Sequence, residues 1–244
     1  MRTLLGHRLA PVTSQIGFLR LPLEDAGRAL AQWRRGLYGD VDARPVAGPL
    51  PGLVRRLEPL TGGSRARELL LRTAAPDWTA YLDCSLTGTD ADSVVGHLSR
   101  TLLCQGLVAT AVPHTLDRAG RGRYGAVQFT LLGPLQTGFL NIVRSVSVAH
   151  DGSRWRFDAD GTEQDFETPD RYTARRVRER FTSDMLAGYC AALGVRPFDE
   201  DFYGPDALLF TSPVPTAPDG KIMTIEQAQA FHGIDPDRDA QTPG

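Results

Sequence analysis

The sequence is poor in cysteine, in lysine and in net charge, and it holds no long apolar run. Cys84, Cys104 and Cys190 are the only cysteines in 244 residues. An odd number, set singly within apolar segments, argues against a disulfide framework and a zinc motif, and buried free thiols are expected. A net charge of −2 gives no broad electrostatic footprint for nucleic acid or an anionic membrane. No window approaches the ~18 uninterrupted apolar residues of a spanning helix, and the opening MRTLLGHRLAPVTSQ lacks the apolar core of a secretory signal. A cytoplasmic protein is therefore expected, with no membrane insertion and no nucleic-acid partner. The phosphate loop G-x-x-x-x-G-K-[ST] and the G-x-S-x-G elbow of serine hydrolases are missing, and no strand-linked G-x-G-x-x-G exists, since Gly120-Arg121-Gly122 lies in a loop before a strand instead of a helix. The five histidines show no metal-ligand spacing. No catalytic residue, metal or cofactor is assigned.

What is present is enough apolar material, 41% of residues, to bury roughly 70–75% of the unfolded surface. Lys221 is the only lysine among 27 basic residues, a bias typical of GC-rich bacterial coding. The halves divided after Gly122 carry +4 and −6, too small an asymmetry to name a partner.

Residues 14–21 alternate as a strand. Leu23, Ala26, Leu30, Trp33 and Leu37 then recur at helical spacing, with acids in the first turn and Arg34 and Arg35 in the last. Residues 40–66 read as a Pro/Gly-rich loop carrying one short helix near Leu50–Leu60. The runs 67–73 and 77–85 form an antiparallel pair. Thr89 and Asp92 resemble a capping box opening a second helix, which Gly106 ends, and strands follow over 107–113 and 124–132. Asp151-Gly152 and Asp160-Gly161 sit where type I′ turns want positive φ, predicting a three-stranded meander over 141–167. A long third helix is expected over 170–193, a short strand over 207–211, and a small capped helix from Thr224. The last residues, 235–244, have a disordered composition. The expected fold is α+β: a mixed, mainly antiparallel sheet with a C-terminal three-stranded meander, packed against three main helices. Residues 1–13 form an arm, 14–212 one domain that accommodates two diverged β-α-β-β units, and 213–244 a Pro-rich tail.

Three constellations are candidates for chemistry. In the strand 141–150, Ile142, Arg144, Val146 and Val148 share a face, so Arg144 either anchors an internal ion pair or lines a pocket for an anion. Tyr81 and Asp83 lie opposite Trp78, Ala80, Leu82 and Cys84; they either contribute to a cleft or decorate an outer face. Asp199, Glu200, Asp201, Phe202 and Tyr203 form an acidic, aromatic loop of the composition that protein-binding surfaces favour, or one whose aromatics fold back on a helix end.

The stretches WTAYLDCSLTGTDADSVVGHLSR, LNIVRSVSVAHDGSRWRFDADG and RERFTSDMLAGYCAALGVRPFDEDFYGP resemble small stand-alone proteins of actinobacteria. In size and α+β organisation such proteins resemble the immunity proteins that neutralise polymorphic toxins. The resemblance covers about residues 14–211, carries no catalytic motif and transfers no functional residue. With every common catalytic signature absent and the second half acidic, the leading expectation is a non-catalytic cytoplasmic protein-binding module of immunity type, partnered by a toxin or another protein, with Asp199–Tyr203 as the candidate contact. The competing expectation is an enzyme using Arg144, Asp83, Tyr81 and His114 on a small carboxylate- or phosphate-bearing substrate in a sheet–helix cleft. An oligomeric scaffold is the third.

Overall fold

The computed structural model describes residues 2–63, 66–134, 141–213 and 220–237. In chain order the elements are β1 (Gln15–Leu19), α1 (Leu23–Tyr38), β2 (Asp42–Ala47), α2 (Leu50–Arg55), β3 (Leu60–Thr61), β4 (Arg67–Thr73), β5 (Thr79–Asp83) and α3 (Ala91–Leu102). Then follow β6 (Gly106–Val112), β7 (Ala126–Leu132), β8 (Ile142–His150), β9 (Trp155–Gly161), α4 (Ser183–Ala192), β10 (Tyr203–Thr211), β11 (Ile222–Met223) and α5 (Ile225–His232).

Nine strands make one antiparallel sheet in the order β2-β10-β4-β5-β1-β6-β7-β8-β9, and β3 pairs separately with β11. The sheet with helices on both faces bears out the α+β class. One face carries α1 and α3, which bury Leu23, Leu30, Val94 and Leu98 against Leu70, Tyr81, Val108 and Phe210. The other carries α2, α4 and α5 with the N-terminal residues Leu4, Leu9 and Val12, over Phe18, Leu69, Leu82, Phe129 and Val146.

Alternation and helical spacing explain most of this, and the departures have local causes. The buried stripe of α1 is turned by about one position from the sequence expectation: Arg34 is buried whereas Leu37 is 54% exposed. Beneath α3, Gly17 and Gly106 remove the side chains that would hold the helix off the sheet. A Cβ at Gly17 would lie 2.6 Å from Val95 Cγ2 and 2.9 Å from Ala91 Cβ, neither of which can swing away. Gly17→Ala is expected to cost about 1–3 kcal/mol in urea unfolding. Gly188→Ala, on α4 with open space at its Cβ, is expected to stabilise by about 0.5–1 kcal/mol.

The expected capping box at α3 does not form. Thr89 Oγ1 donates to Val12 O and Asp92 accepts from Gln15 Nε2, while the first N–H groups go to Asp83 and Gln15 side chains. The helix ends at Leu102 on a left-handed Leu103, and Gly106 opens β6 instead. Residues 42–47, expected as loop, form edge strand β2 against β10. Its polarity and Pro45 hide it in the sequence, and an edge tolerates both.

Two further expectations fail between residues 141 and 193. The third meander strand, 162–167, is absent: Gly161, at φ +88°, ends β9, and the chain leaves the sheet edge with Thr162 N bonded to Val143 O. Asp160-Gly161 is thus an exit, whereas the β8–β9 hairpin closes at Asp151-Gly152 by a four-residue loop, 151–154, instead of a type I′ turn: only Gly152 has positive φ, and Asp151 Oδ1 accepts from Ser153 N and Arg154 N. The long helix over 170–193 is replaced by two single turns, Pro169–Thr173 and Val177–Glu179, and the ten-residue α4. Arg180 Nε takes the Ala174 carbonyl, and Thr182 Oγ1 caps α4 by accepting from Met185 N. The capping box at Thr224 forms as read, with Gln227. Residues 238–244 of the terminal stretch lie outside the described residues.

Candidate functional site

The four side chains expected to share a cleft occupy three separate places. Tyr81 and Asp83 lie under α1 and α3, fully buried, so neither an outer face nor an open cleft holds them. Tyr81 Oη donates to Glu68 Oε1 at 2.8 Å and approaches Asp83 Oδ2 at 3.3 Å. Arg34 grips Glu68 with two bonds, Nε–Oε2 at 2.8 Å and Nη2–Oε1 at 2.6 Å. Asp83 accepts from the Ser85 and Asp90 N–H groups, at 2.8 and 3.0 Å. Burial pushes the Tyr81 hydroxyl well above its ordinary range, with Glu68 and Asp83 adding to it. This set ties α1 to β4 and anchors the start of α3.

Arg144 lies on the opposite face, in an internal pair. Its Nε and Nη2 bond Glu167 Oε1 and Oε2 at 2.9 and 2.7 Å, and Nη1 bonds Gly161 O at 3.1 Å. Tyr172 Oη donates to Glu167 Oε2 and meets Tyr189 Oη at 2.9 Å. Ile142 does not share the face of Arg144, because an extra residue between the pairs Leu131–Arg144 and Leu132–Ile142 turns it over. Burial alone would raise the Glu167 carboxyl; Arg144, Tyr172 and the Gln164 N–H overcome that and hold it below its usual range.

His114 sits at the far end of the strands. His150 lies six positions beyond Arg144 along β8, about 20 Å of strand, and His114 packs on His150 and Trp155 with ring centroids 4.9 and 5.4 Å away. Tyr124 stacks on His150 at 5.2 Å, and the Arg178 guanidinium lies 4.9 Å over the Trp155 ring. Burial lowers His114, and the charges of His150 and Arg178 lower it further.

The aromatics of the acidic loop fold inward, while Glu200 and Asp201 stay exposed. Phe202 and Tyr203 are core residues, packed on Phe18, and Tyr203 Oη donates to Pro197 O. They cannot offer an aromatic surface to a partner, because β10 begins at Tyr203 and seats both against the sheet. Asp199 and Asp201 pair with Arg196 at 3.3 and 3.5 Å, and Glu200 with Arg8 at 3.0 Å.

A broad concavity lies beside the His114 cluster. It encloses about 630 Å³ between the ends of β7, β8 and β9 and residues 176–184. Val127, Val148, Trp155 and Phe181 supply apolar walls, and Arg176, Arg178, Glu179 and Asp184 the polar ones. Exposed Arg154, Arg171 and Arg175 stand nearby in sequence. Five arginines fall within residues 171–180; that run is legible in the sequence, but a continuous helix would have spread it around a cylinder. Among the described residues no group of three His, Cys, Asp or Glu is placed to hold a metal. Burial raises the Cys104 thiol to about 11 and the Cys190 thiol further, which leaves both poor nucleophiles at neutral pH. No helix is long and apolar enough to cross a membrane among the described residues. The chain matches no family model, no curated protein and no solved structure.

Proposed function

We propose that the protein is a non-catalytic binding module whose protein partner seats an acidic segment with an apolar side chain in the groove lined by Trp155, Arg178 and Phe181. The observation that carries this is the combination of apolar walls and arginine rim in one open cavity. Apolar burial contributes about 25 cal/mol per Å², and exposed guanidinium groups are suited to paired bonds with carboxylates. Glu179 and Asp184 in the same groove oppose a continuous phosphate backbone, which favours a peptide over nucleic acid. A toxin held by an immunity-type protein is one such partner; its contact then falls on this groove rather than on residues 199–203. The alternative of catalysis on a small anionic substrate loses its proposed machinery, since Arg144, Asp83, Tyr81 and His114 are apart.

A random-peptide display library selected on the wild-type protein, with counter-selection on Arg176→Glu/Arg178→Glu, tests the proposal. Enrichment of acidic peptides with an aromatic or leucine anchor is expected. Enrichment of basic peptides, or none, contradicts it, as does tight, salt-sensitive binding of an RNA or DNA oligomer at the same residues.

One observation favours a scaffold as a second reading. Leu37, Tyr38, Leu102 and Leu103 are exposed at the C-terminal ends of α1 and α3, around the stacked Trp33 and His97. A stable homo-oligomer in sedimentation equilibrium, dispersed by Leu37→Glu, supports it; a monomer at all concentrations removes it.

A further inference from the structure

The two edges of the nine-stranded sheet, β2 and β9, are built differently. On β2, Pro45 removes a backbone donor, a common guard of an exposed edge. The seven residues of β9 include no proline, and the free side of the strand follows from its ladder. At the two ends Asp151 N donates to Arg154 O and Thr162 N to Val143 O. The register between them is unbroken, so the even-numbered residues of β9 exchange bonds with β8. The N–H and C=O groups of Trp155, Phe157 and Ala159 therefore point away from β8. Among the described residues none of these groups has a hydrogen-bond partner. Tyr172 and Arg180 meet the Phe157 ring and Arg178 the Trp155 ring, on the face to which those rings point.

Charge is ordered along the same edge. Arg154, Arg156, Asp158 and Asp160 are exposed and spaced evenly about Phe157, the arginines before it and the aspartates after it. Let a second β9 run antiparallel with Phe157 opposite Phe157. Trp155 then faces Ala159 in the hydrogen-bonded pairs, outward group against outward group. Arg156 faces Asp158 and Arg154 faces Asp160 in the intervening pairs, where side chains stand closest. The neighbouring registers of the same parity, centred on Trp155 or Ala159, set Arg154 against Arg156 or Asp158 against Asp160. Among the described residues Asp158, Asp160 and the Arg154 guanidinium have no ion pair within the chain, and Arg156 has one, with Asp151 in the hairpin loop.

We infer that a second copy of this chain docks on the β9 edge, antiparallel about Phe157, and joins the two sheets through their β9 strands. The interface is separate from the exposed ends of α1 and α3, and it stands whether or not the groove binds a peptide.

Sedimentation equilibrium combined with amide hydrogen exchange tests it. A wild-type dimer is expected, with the Trp155, Phe157 and Ala159 amides gaining protection as it forms. Each dimer holds four of these cross-strand ion pairs. Asp158→Arg/Asp160→Arg and Arg154→Glu/Arg156→Glu are therefore each expected to weaken it by about tenfold or more, and an equimolar mixture of the two variants to form a heterodimer. Arg154→Asp/Asp160→Arg restores opposite charges between copies and leaves the Arg156–Asp151 contact alone. It is expected to dimerise like the wild type, an independent reading if the Arg156 variant fails to fold. A wild-type monomer up to about 0.1 mM, with those amides exchanging freely, overturns the inference and leaves the edge to a strand from another protein. A dimer that the charge reversals leave intact or that Leu37→Glu disperses also overturns it, as does a mixture of the two folded variants that stays monomeric.

Discussion

Replacing Arg144 by alanine is expected to lower the unfolding free energy by about 3–5 kcal/mol, because it strands the Glu167 carboxylate in a buried site. The side chains of the pair are 6% and 0% exposed, so water cannot substitute for the lost guanidinium. Tyr172 and Gln164 would keep two bonds to the carboxylate, which sets the cost below that of a bare buried charge. The loss reaches beyond one contact, since Glu167 carries the chain from the β9 edge back over the core and, through Tyr172 and Tyr189, positions the segment that forms one wall of the groove. Urea unfolding followed by tryptophan fluorescence reads the change. Its pH dependence supplies a sign. In the wild type the Glu167 pKa is depressed, so the pair's contribution is complete above the unfolded glutamate value and is lost as pH falls through the lower folded one. In Arg144→Ala the unpaired buried carboxyl moves up instead, so protonation relieves that variant. The gap between the two proteins is expected to narrow as the pH falls, beginning above the unfolded glutamate value, where the variant's raised carboxyl takes up its proton, and continuing down through the wild type's depressed one. A gap independent of pH would show that the loss comes from packing rather than charge.

The second large effect lies on the other face. Glu68→Ala is expected to cost about 3–5 kcal/mol, for it leaves the Arg34 guanidinium without its anion and Tyr81 without its closest acceptor. Arg34 and Glu68 are 2% and 1% exposed at their side chains, and the Trp33 and Tyr38 rings beside the guanidinium do not replace a carboxylate. The double replacement Arg34→Met/Glu68→Met is expected to recover most of that loss, because an apolar pair of similar volume avoids the desolvation of both charges. A double variant as unstable as the single one would instead assign the loss to shape.

Both pairs show where sequence periodicity stops being informative. The α1 repeat, the alternation of β5 and the hairpin at Asp151-Gly152 are local patterns, and each element formed over the residues that carry its pattern. Arg144 on a buried face and Tyr81 with Asp83 on one side of β5 were also legible. Their partners were not: strand or helix periodicity cannot connect Arg144 to Glu167, 23 positions later, on a chain that leaves the sheet by a glycine turn. The long helix expected over 170–193 rests on the near-helical spacing of Tyr172, Val177, Phe181 and Tyr189, a pattern that carries burial but not this geometry. Tyr172, Phe181 and Tyr189 reach the core from separate segments instead of one helix, because side-chain bonds to Ala174 O and to the start of α4 interrupt the chain between them. The groove follows from that break, and so does its arginine rim.

The most direct test of the binding proposal is a charge-swap cycle with one acidic peptide from the display selection. Its affinity would be measured for wild-type protein and for Arg178→Glu, and again after the peptide's key carboxylate is changed to a basic residue. Binding in the groove predicts a loss of about tenfold or more for either change alone and substantial recovery when both are made. Equal affinity of the acidic peptide for both proteins, with no recovery in the swapped pair, would contradict it.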